Sequence, residues 1–172
     1  MSRRFTALAV VLPLLAVGLG IVRAELFRGR AREFVFEIEG YDPRDLLRGH
    51  YLQFRLRIEP LPVREPCDDA AADCCLCLTR SDPDAVPYVE RATCATARSS
   101  CDGALHVRYL NEPQRYYVPE QNAAALEKRL LSAMEHRRAH AVLAIDASGQ
   151  AQVRELRVDG EPISGGPADD AP

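Results

Sequence analysis

The stretch that decides the fold is DPRDLLRGHYLQFRLRI, residues 42–58. Asp42 is a favourable N-cap, Pro43 suits the first helical position, and Gly49 can end a short helical turn. From residue 52 onward apolar and polar residues alternate, and the apolar set is Leu52, Phe54, Leu56 and Ile58. A period of two is typical of a half-buried strand. The stretch therefore predicts a capped turn that directs a strand over residues 51–59.

The segments on either side predict further strands. Residues 33–39 alternate in the same way, with Phe34, Phe36 and Ile38 on the apolar side. Shorter strands are predicted at 76–79, 86–91, 105–110 and 115–118. Residues 141–145 and 151–158 are predicted to pair across a hairpin loop at 146–149, and the uneven period of the second strand predicts a bulge.

One segment has the pattern of a helix. Residues 119–137 begin with a proline and an acid, and they carry an apolar stripe at helical spacing. The stripe consists of Ala123, Leu126, Leu130, Ala133 and Met134. We therefore expect one helix packed on the sheet, and we expect residues 161–172, which are rich in Gly, Pro and Asp, to be a disordered tail.

The amino terminus predicts a membrane segment. Arg3 and Arg4 precede residues 5–22, which contain no charge. That length is near the minimum for a helix that spans a bilayer, and positive charge ahead of a span directs the rest of the chain outward. We predict an anchor at 1–24 and a linker at 25–32. A cleaved signal peptide is the alternative, because small residues near position 24 suit cleavage.

Composition limits the remaining possibilities. The 172 residues carry a formal net charge of −3, which excludes the basic footprint of a nucleic-acid-binding protein. After the anchor, the chain is long enough for one domain, at 33–160, with a cysteine-rich insertion at 67–101. The predicted fold class is α+β and mainly β: an N-terminal transmembrane helix followed by a small antiparallel β-rich domain with one packed helix.

The cysteines of the insertion permit several interpretations. Six are present, at Cys67, Cys74, Cys75, Cys77, Cys94 and Cys101. An oxidising compartment favours two or three disulfides, although six cysteines allow fifteen pairings and the sequence does not select one. A zinc or iron–sulfur site would use Cys74, Cys75 and Cys77 with Cys67 or Cys94, but the second Cys-x2–4-Cys pair of structural zinc sites is missing. A redox-active pair is the third interpretation.

No catalytic constellation is present in the sequence. A Ser–Lys mechanism is disfavoured because no serine lies between Ser2 and Ser81 and the one lysine, Lys128, falls in the predicted helix. His136 and His140 have the spacing of helical metal ligands, but two arginines lie between them and favour a surface role. We therefore predict that the protein is not an enzyme, and we predict no cofactor.

Several features together resemble a known family. They are the apolar amino terminus, the turn DPRDLLRG followed by Tyr51, the sequence RYYVPE at 115–120 and the closing hairpin AVLAIDASGQAQVRELRVDGEPI. The chain resembles the GDYXXLXP family of membrane-anchored bacterial proteins, whose function is uncharacterised. The motif region comprises Asp42, Pro43, Arg44, Asp45, Leu46, Leu47, Arg48, Gly49 and Tyr51. Gly49 and Tyr51 match the motif letters, whereas His50, Phe54 and Leu56 replace its Asp, Leu and Pro.

The resemblance implies a location and a type of protein, and it implies no activity. We expect a single-pass protein of the inner membrane with its β-rich domain facing the periplasm. The predicted function is a structural or partner-binding module that acts with other membrane proteins. The alternative is an envelope protein that uses its cysteines for metal binding or redox chemistry.

Overall fold

The computed structural model describes residues 3–40, 51–59, 61–67, 73–118 and 120–163. Contacts divide the chain into two compact units, Met1–Ala31 and Arg32–Pro172. In chain order the elements are α1 (Arg3–Arg30), β1 (Arg32–Gly40), β2 (Tyr51–Leu56), β3 (Cys74–Thr79), β4 (Tyr88–Thr93), α2 (Cys94–Ser100), β5 (Gly103–His106), α3 (Arg108–Asn111), β6 (Gln114–Tyr117), α4 (Glu120–Glu135), β7 (Ala139–Ile145), β8 (Ala151–Val158) and β9 (Glu161–Pro162).

The first unit consists of α1. Its described side chains over residues 11–22 are apolar and exposed. Among the residues that the structure describes, no helix is both long enough and apolar enough to cross a membrane. The transmembrane helix predicted for residues 5–22 is therefore not supported.

The second unit is built on an antiparallel sheet of six strands in the order β6-β2-β1-β7-β8-β9. The alternating residues 33–39 form β1, as predicted. This strand lies inside the sheet, where it pairs with β2 and β7. β1 and β2 run antiparallel, as expected for two strands joined by a tight corner. The corner itself, residues 42–49, lies outside the described residues, as does the side chain of Tyr51.

The main core lies on one face of this sheet. Phe34, Phe36 and Ile38 are fully buried there, as their spacing predicts. α4 covers this face with Leu130, Ala133 and Met134, so the predicted helical stripe is confirmed for its described members. Leu126 is partly buried against the same core.

The cysteine-rich insertion is more regular than the sequence indicates. It forms a second sheet in the order β4-β3-β5, covered by α2. One face of this sheet joins the main core through Leu76, Leu78 and Leu105. The strands predicted at 76–79 and 86–91 correspond to β3 and β4. β3 begins earlier than predicted, at Cys74, because its cysteines pack as apolar residues and hide the alternation. The strand predicted at 105–110 ends at residue 106, and α3 follows it.

The carboxyl-terminal part forms two hairpins. β7 and β8 pair with a register shift opposite Val142 and Leu143, which is the predicted bulge. Asp159 and Gly160 both have positive φ and form the tight turn between β8 and β9. The prediction of a disordered tail is wrong for residues 161–163, because β9 pairs with β8 and Ile163 is buried in the main core. Residues 164–172 lie outside the described part of the chain.

Candidate functional site

Three disulfides converge on β3. They join Cys67 to Cys74, Cys75 to Cys94 and Cys77 to Cys101. The disulfide interpretation of the six cysteines is thus confirmed, and no cysteine is left free.

The alternation of β3 sends its cysteines to opposite faces. Cys74 lies in the main core, whereas Cys75 and Cys77 lie in a small cluster beneath α2. The rest of that cluster consists of Ala92, Cys94, Ala97 and Ala104, with Cys101 packed against it. Alanine buries little apolar surface, so the two disulfides supply most of the volume that fills this second core.

α2 is held at both ends. Cys94 is its first residue and Cys101 follows its last, and each is bonded to β3. Thr93 is the N-cap, with its hydroxyl accepting from the backbone N–H of Thr96 at 3.3 Å. Glu65 accepts from the hydroxyls of Thr96 at 2.8 Å and Thr93 at 3.1 Å, and these hydrogen bonds lower the pKa of its carboxyl.

His106, at the end of β5, lies beside one of the disulfides. Its Nδ1 is 3.8 Å from the Sγ atoms of both Cys75 and Cys94. The backbone N–H of His106 donates to the carbonyl of Gly149 at 3.1 Å, which fixes the residue against the β7–β8 hairpin. Burial, followed by the charges of Arg108 and Arg98, lowers the pKa of this imidazole. The lowered pKa favours the neutral form of the ring.

The histidine and the two cysteines form a possible metal-ligand set. Their ligand atoms lie within 4.8 Å of one another. A Cys2His arrangement with one open position is a known zinc geometry. The sulfurs here are joined to each other, and a disulfide sulfur lacks the charge of the thiolate that binds metals. The set becomes a ligand site only after reduction.

This set differs from the metal site considered from the sequence. The sequence interpretation grouped Cys74, Cys75 and Cys77, but Cys74 faces away from the other two across β3. Sequence reasoning missed His106, because it stands thirty-one positions from Cys75 and twelve from Cys94. The two cysteines and the histidine meet only through strand pairing, in which Cys75 lies opposite His106.

An arginine lies against the third disulfide. Arg64 Nη1 is 3.5 Å from Cys77 Sγ and 3.8 Å from Cys101 Sγ. Its backbone N–H donates to the carbonyl of Arg91 at 2.9 Å, which ties the segment before β3 to β4. The side chain also forms an ion pair with Glu90 at 3.8 Å.

The remaining histidines do not come together as metal ligands. His136 lies past the end of α4, where its Nδ1–H donates to the carbonyl of Ser132 at 2.8 Å. His140 lies in β7, opposite Glu37 of β1. The two residues are therefore not on one helical face. His50 falls outside the described residues.

The sheet face opposite the main core is rich in charge. Strand pairing places Glu39 opposite Arg55, and ion pairs join Arg57 to Glu39 at 3.5 Å and Arg137 to Glu37 at 3.6 Å. A shallow cleft of about 460 Å³ opens there, lined by Glu37, Arg57, Glu59 and Arg137. This face presents both charge signs side by side.

Comparison with known proteins assigns a family. The family model described as GDYXXLXY protein matches residues 13–156, well over half of the chain. The match begins within α1, includes the cysteine-rich insertion and ends within β8. The last letter of this motif is Tyr instead of the Pro expected from the resemblance, so Leu56 stands in place of an aromatic ring. No curated protein and no solved structure matches the chain.

Proposed function

The chain belongs to the GDYXXLXY protein family, whose function is uncharacterised, and from that premise we propose that it is a tethered, partner-binding module of the cell envelope. The observation that carries the proposal is the pairing of all six cysteines in three disulfides. Structural disulfides form and persist outside the reducing cytosol. The domain accordingly works on the outer side of the inner membrane, facing the periplasm.

The tether is α1. Eight large apolar side chains between residues 11 and 22 are 51–70% exposed. Apolar surface of this extent is unfavourable in water and favourable against lipid. Arg3 and Arg4 precede it, in the order that retains the amino terminus in the cytoplasm.

The partner-binding surface is the charged sheet face, extended by the edge strand β6. Tyr117 of β6 is 66% exposed, and Arg115 on the same strand is also exposed. Tyrosine and arginine are the residue types enriched at the energetic centres of protein interfaces. The mixture of acidic and basic groups around the cleft selects a partner with a complementary mixed pattern, and we propose the outer segment of another membrane protein.

Two measurements test location and partner binding. Full-length protein extracted from the envelope without reductant should contain no alkylatable thiol, and six after reduction. A photo-crosslinking residue at position 117 in living cells should give a discrete adduct with one membrane protein. The same residue at position 99, exposed on α2, serves as the matched control. Free thiols in the extracted protein, or identical adducts at both positions, would refute the proposal.

A second candidate function is metal binding by the reduced protein. It is favoured by the grouping of Cys75, Cys94 and His106. After reduction two thiolates and a neutral imidazole would take Zn²⁺. Titration of reduced protein with zinc should show one site that is weakened by His106→Gln. Equal zinc affinity in His106→Gln and His136→Gln, the matched surface control, would dismiss this candidate.

A further inference from the structure

The disulfide between Cys77 and Cys101 has an asymmetric environment. Cys77 is fully buried in β3, whereas Cys101 is partly exposed at the end of α2. An incoming thiolate must approach along the axis of the sulfur–sulfur bond, and access decides which sulfur it attacks. The exposure difference makes Cys101 the attacked sulfur and Cys77 the leaving group.

Arg64 places a positive charge beside the sulfur of Cys77, the leaving group. Its Nη1 is 3.5 Å from the sulfur of Cys77, within the distance at which a guanidinium donates a hydrogen bond to sulfur. A cation in this position lowers the pKa of the leaving thiol, and a thiol with a lower pKa leaves faster. The ion pair with Glu90 holds the guanidinium nearby without covering it, since the arginine side chain remains 42% exposed.

The other two disulfides lie in different surroundings. Cys75 and Cys94 are both buried, and their neighbour is the neutral ring of His106. Cys67 is partly exposed, but its partner Cys74 lies in the main core. Among the described residues, Cys77–Cys101 is the disulfide that has an arginine at both of its sulfurs.

We propose that Cys77–Cys101 is the exchangeable disulfide of this protein and that Arg64 activates it toward low-molecular-weight thiols. A thiolate attacks Cys101 Sγ, the Cys77–Cys101 bond breaks, and a mixed disulfide forms at Cys101. The electron pair of the broken bond leaves as the Cys77 thiolate beside Arg64. A second thiol molecule then attacks the mixed disulfide, so two thiols are oxidised to one small disulfide and the protein gains two electrons and, from solvent, two protons.

A binding module needs Cys77–Cys101 only as a structural disulfide, so a reactive role for this bond goes beyond the proposed function. The site also has a mechanical consequence. Exchange at Cys101 releases the carboxyl end of α2, while Cys75–Cys94 still holds its amino end.

The test follows the order of reduction in the oxidised full-length protein. Reduced glutathione is added at pH 7.5, samples are quenched with an alkylating reagent, and mass spectrometry assigns the modified cysteines. We expect Cys77 and Cys101 to react first, with the glutathione adduct on Cys101. Arg64→Gln should slow this step about threefold to tenfold, because the leaving thiolate loses its cation. Arg64→Lys should retain most of the rate.

Arg98→Gln is the matched control, since Arg98 is an exposed arginine of α2 that donates to the carbonyl of Ser148. In the Arg98→Gln variant, glutathione should reduce Cys77–Cys101 at the same rate as in the unsubstituted protein. If Arg64→Gln lowers thermal stability, the relative rates of the three disulfides within that variant provide the test, because general destabilisation should speed the reduction of all three, whereas loss of the cation should slow Cys77–Cys101 alone. Equal reduction rates for all three disulfides, or no effect of Arg64→Gln, would overturn the proposal. Neither result depends on partner capture or on the thiol count of the extracted protein.

Discussion

Arg137 shows how one backbone angle ends a helix without glycine. The N–H of Arg138 donates to the carbonyl of Ala133 at 2.8 Å and that of Arg137 to Met134 at 3.2 Å, which is the Schellman pattern. Arg137 takes the left-handed position, with φ +56°. This conformation costs a side-chain-bearing residue about 1–2 kcal/mol.

We therefore expect Arg137→Gly to be more stable than Arg137→Ala by about 1 kcal/mol, since glycine adopts this angle without strain but loses more entropy on folding. Both variants lose the ion pair with Glu37, so their difference isolates the backbone. Urea unfolding measures it. Equal midpoints for the two variants would show that the angle is unstrained.

His106 makes stability depend on pH. The pKa of its ring is lowered in the folded protein, mainly by burial, from an ordinary value of 6.5. The unfolded chain thus binds a proton first as the pH falls below 6.5. The stability associated with the neutral ring is fully present above that pH and is lost as the pH falls through the folded value.

The free energy of unfolding, measured from pH 8 to pH 5, should decline below about 6.5 in the natural protein, and His106→Gln should flatten that decline. Glu65, whose pKa is also lowered, acts in a separate window, below its ordinary value of 4.5. An unchanged slope in His106→Gln would assign the decline to other groups.

At the scale of single elements, α4 and the strands it covers were predictable. The stripe that includes Leu130 repeats at helical spacing, and the alternation in β1 leaves one arrangement in which both apolar faces are buried. The helix was predicted to end at residue 137, slightly beyond the observed end of α4 at Glu135, because no glycine marks that end. α2 was missed because its buried residues, Cys94 and Ala97, are too small and too few to form a recognisable stripe.

Leu130→Ala should lower the free energy of unfolding by about 2–5 kcal/mol, since it leaves a cavity where the side chain is 1% exposed. Leu131→Ala is the matched control, because Leu131 is only half-buried and its truncation should cost much less stability. Denaturant titration measures the free energy of unfolding of both variants. Equal losses of stability would mean that the core face of α4 is assigned incorrectly.

The candidate site required pairing information that the sequence does not contain. Spacing identifies the cysteines and an oxidising compartment favours their bonding, but the partner of each is set by strand register. Cys77 faces Ala104 and Glu90 across its two neighbouring strands, so its bond must extend out of the sheet to the end of α2. Cys67 and Cys74 have the same sequence separation as Cys94 and Cys101, yet only the first pair forms a disulfide, so spacing alone does not identify bonded partners.

For the β-rich unit as a whole, two cores of different character share one chain. The main core joins both sheets and is rich in Phe, Leu and Ile, whereas the small cluster under α2 depends on cystine. Full reduction should therefore expose α2 and β4 to hydrogen exchange while β1, β7 and β8 remain protected. Exchange mass spectrometry of oxidised and reduced protein measures the difference. Equal loss of protection in all strands would indicate that the disulfides support the whole unit.

The order of the disulfides along the chain has a consequence for biosynthesis. Cys75–Cys94 and Cys77–Cys101 interleave, because Cys77 lies inside the loop closed by the first bond and Cys101 lies beyond it. A chain that is oxidised from its amino terminus onward would join Cys67 to Cys74 correctly and would then pair Cys75 with Cys77, the next two thiols in the sequence. We therefore expect a host with an oxidase alone to accumulate misbridged chains, and a host that also has a disulfide isomerase to yield more native protein.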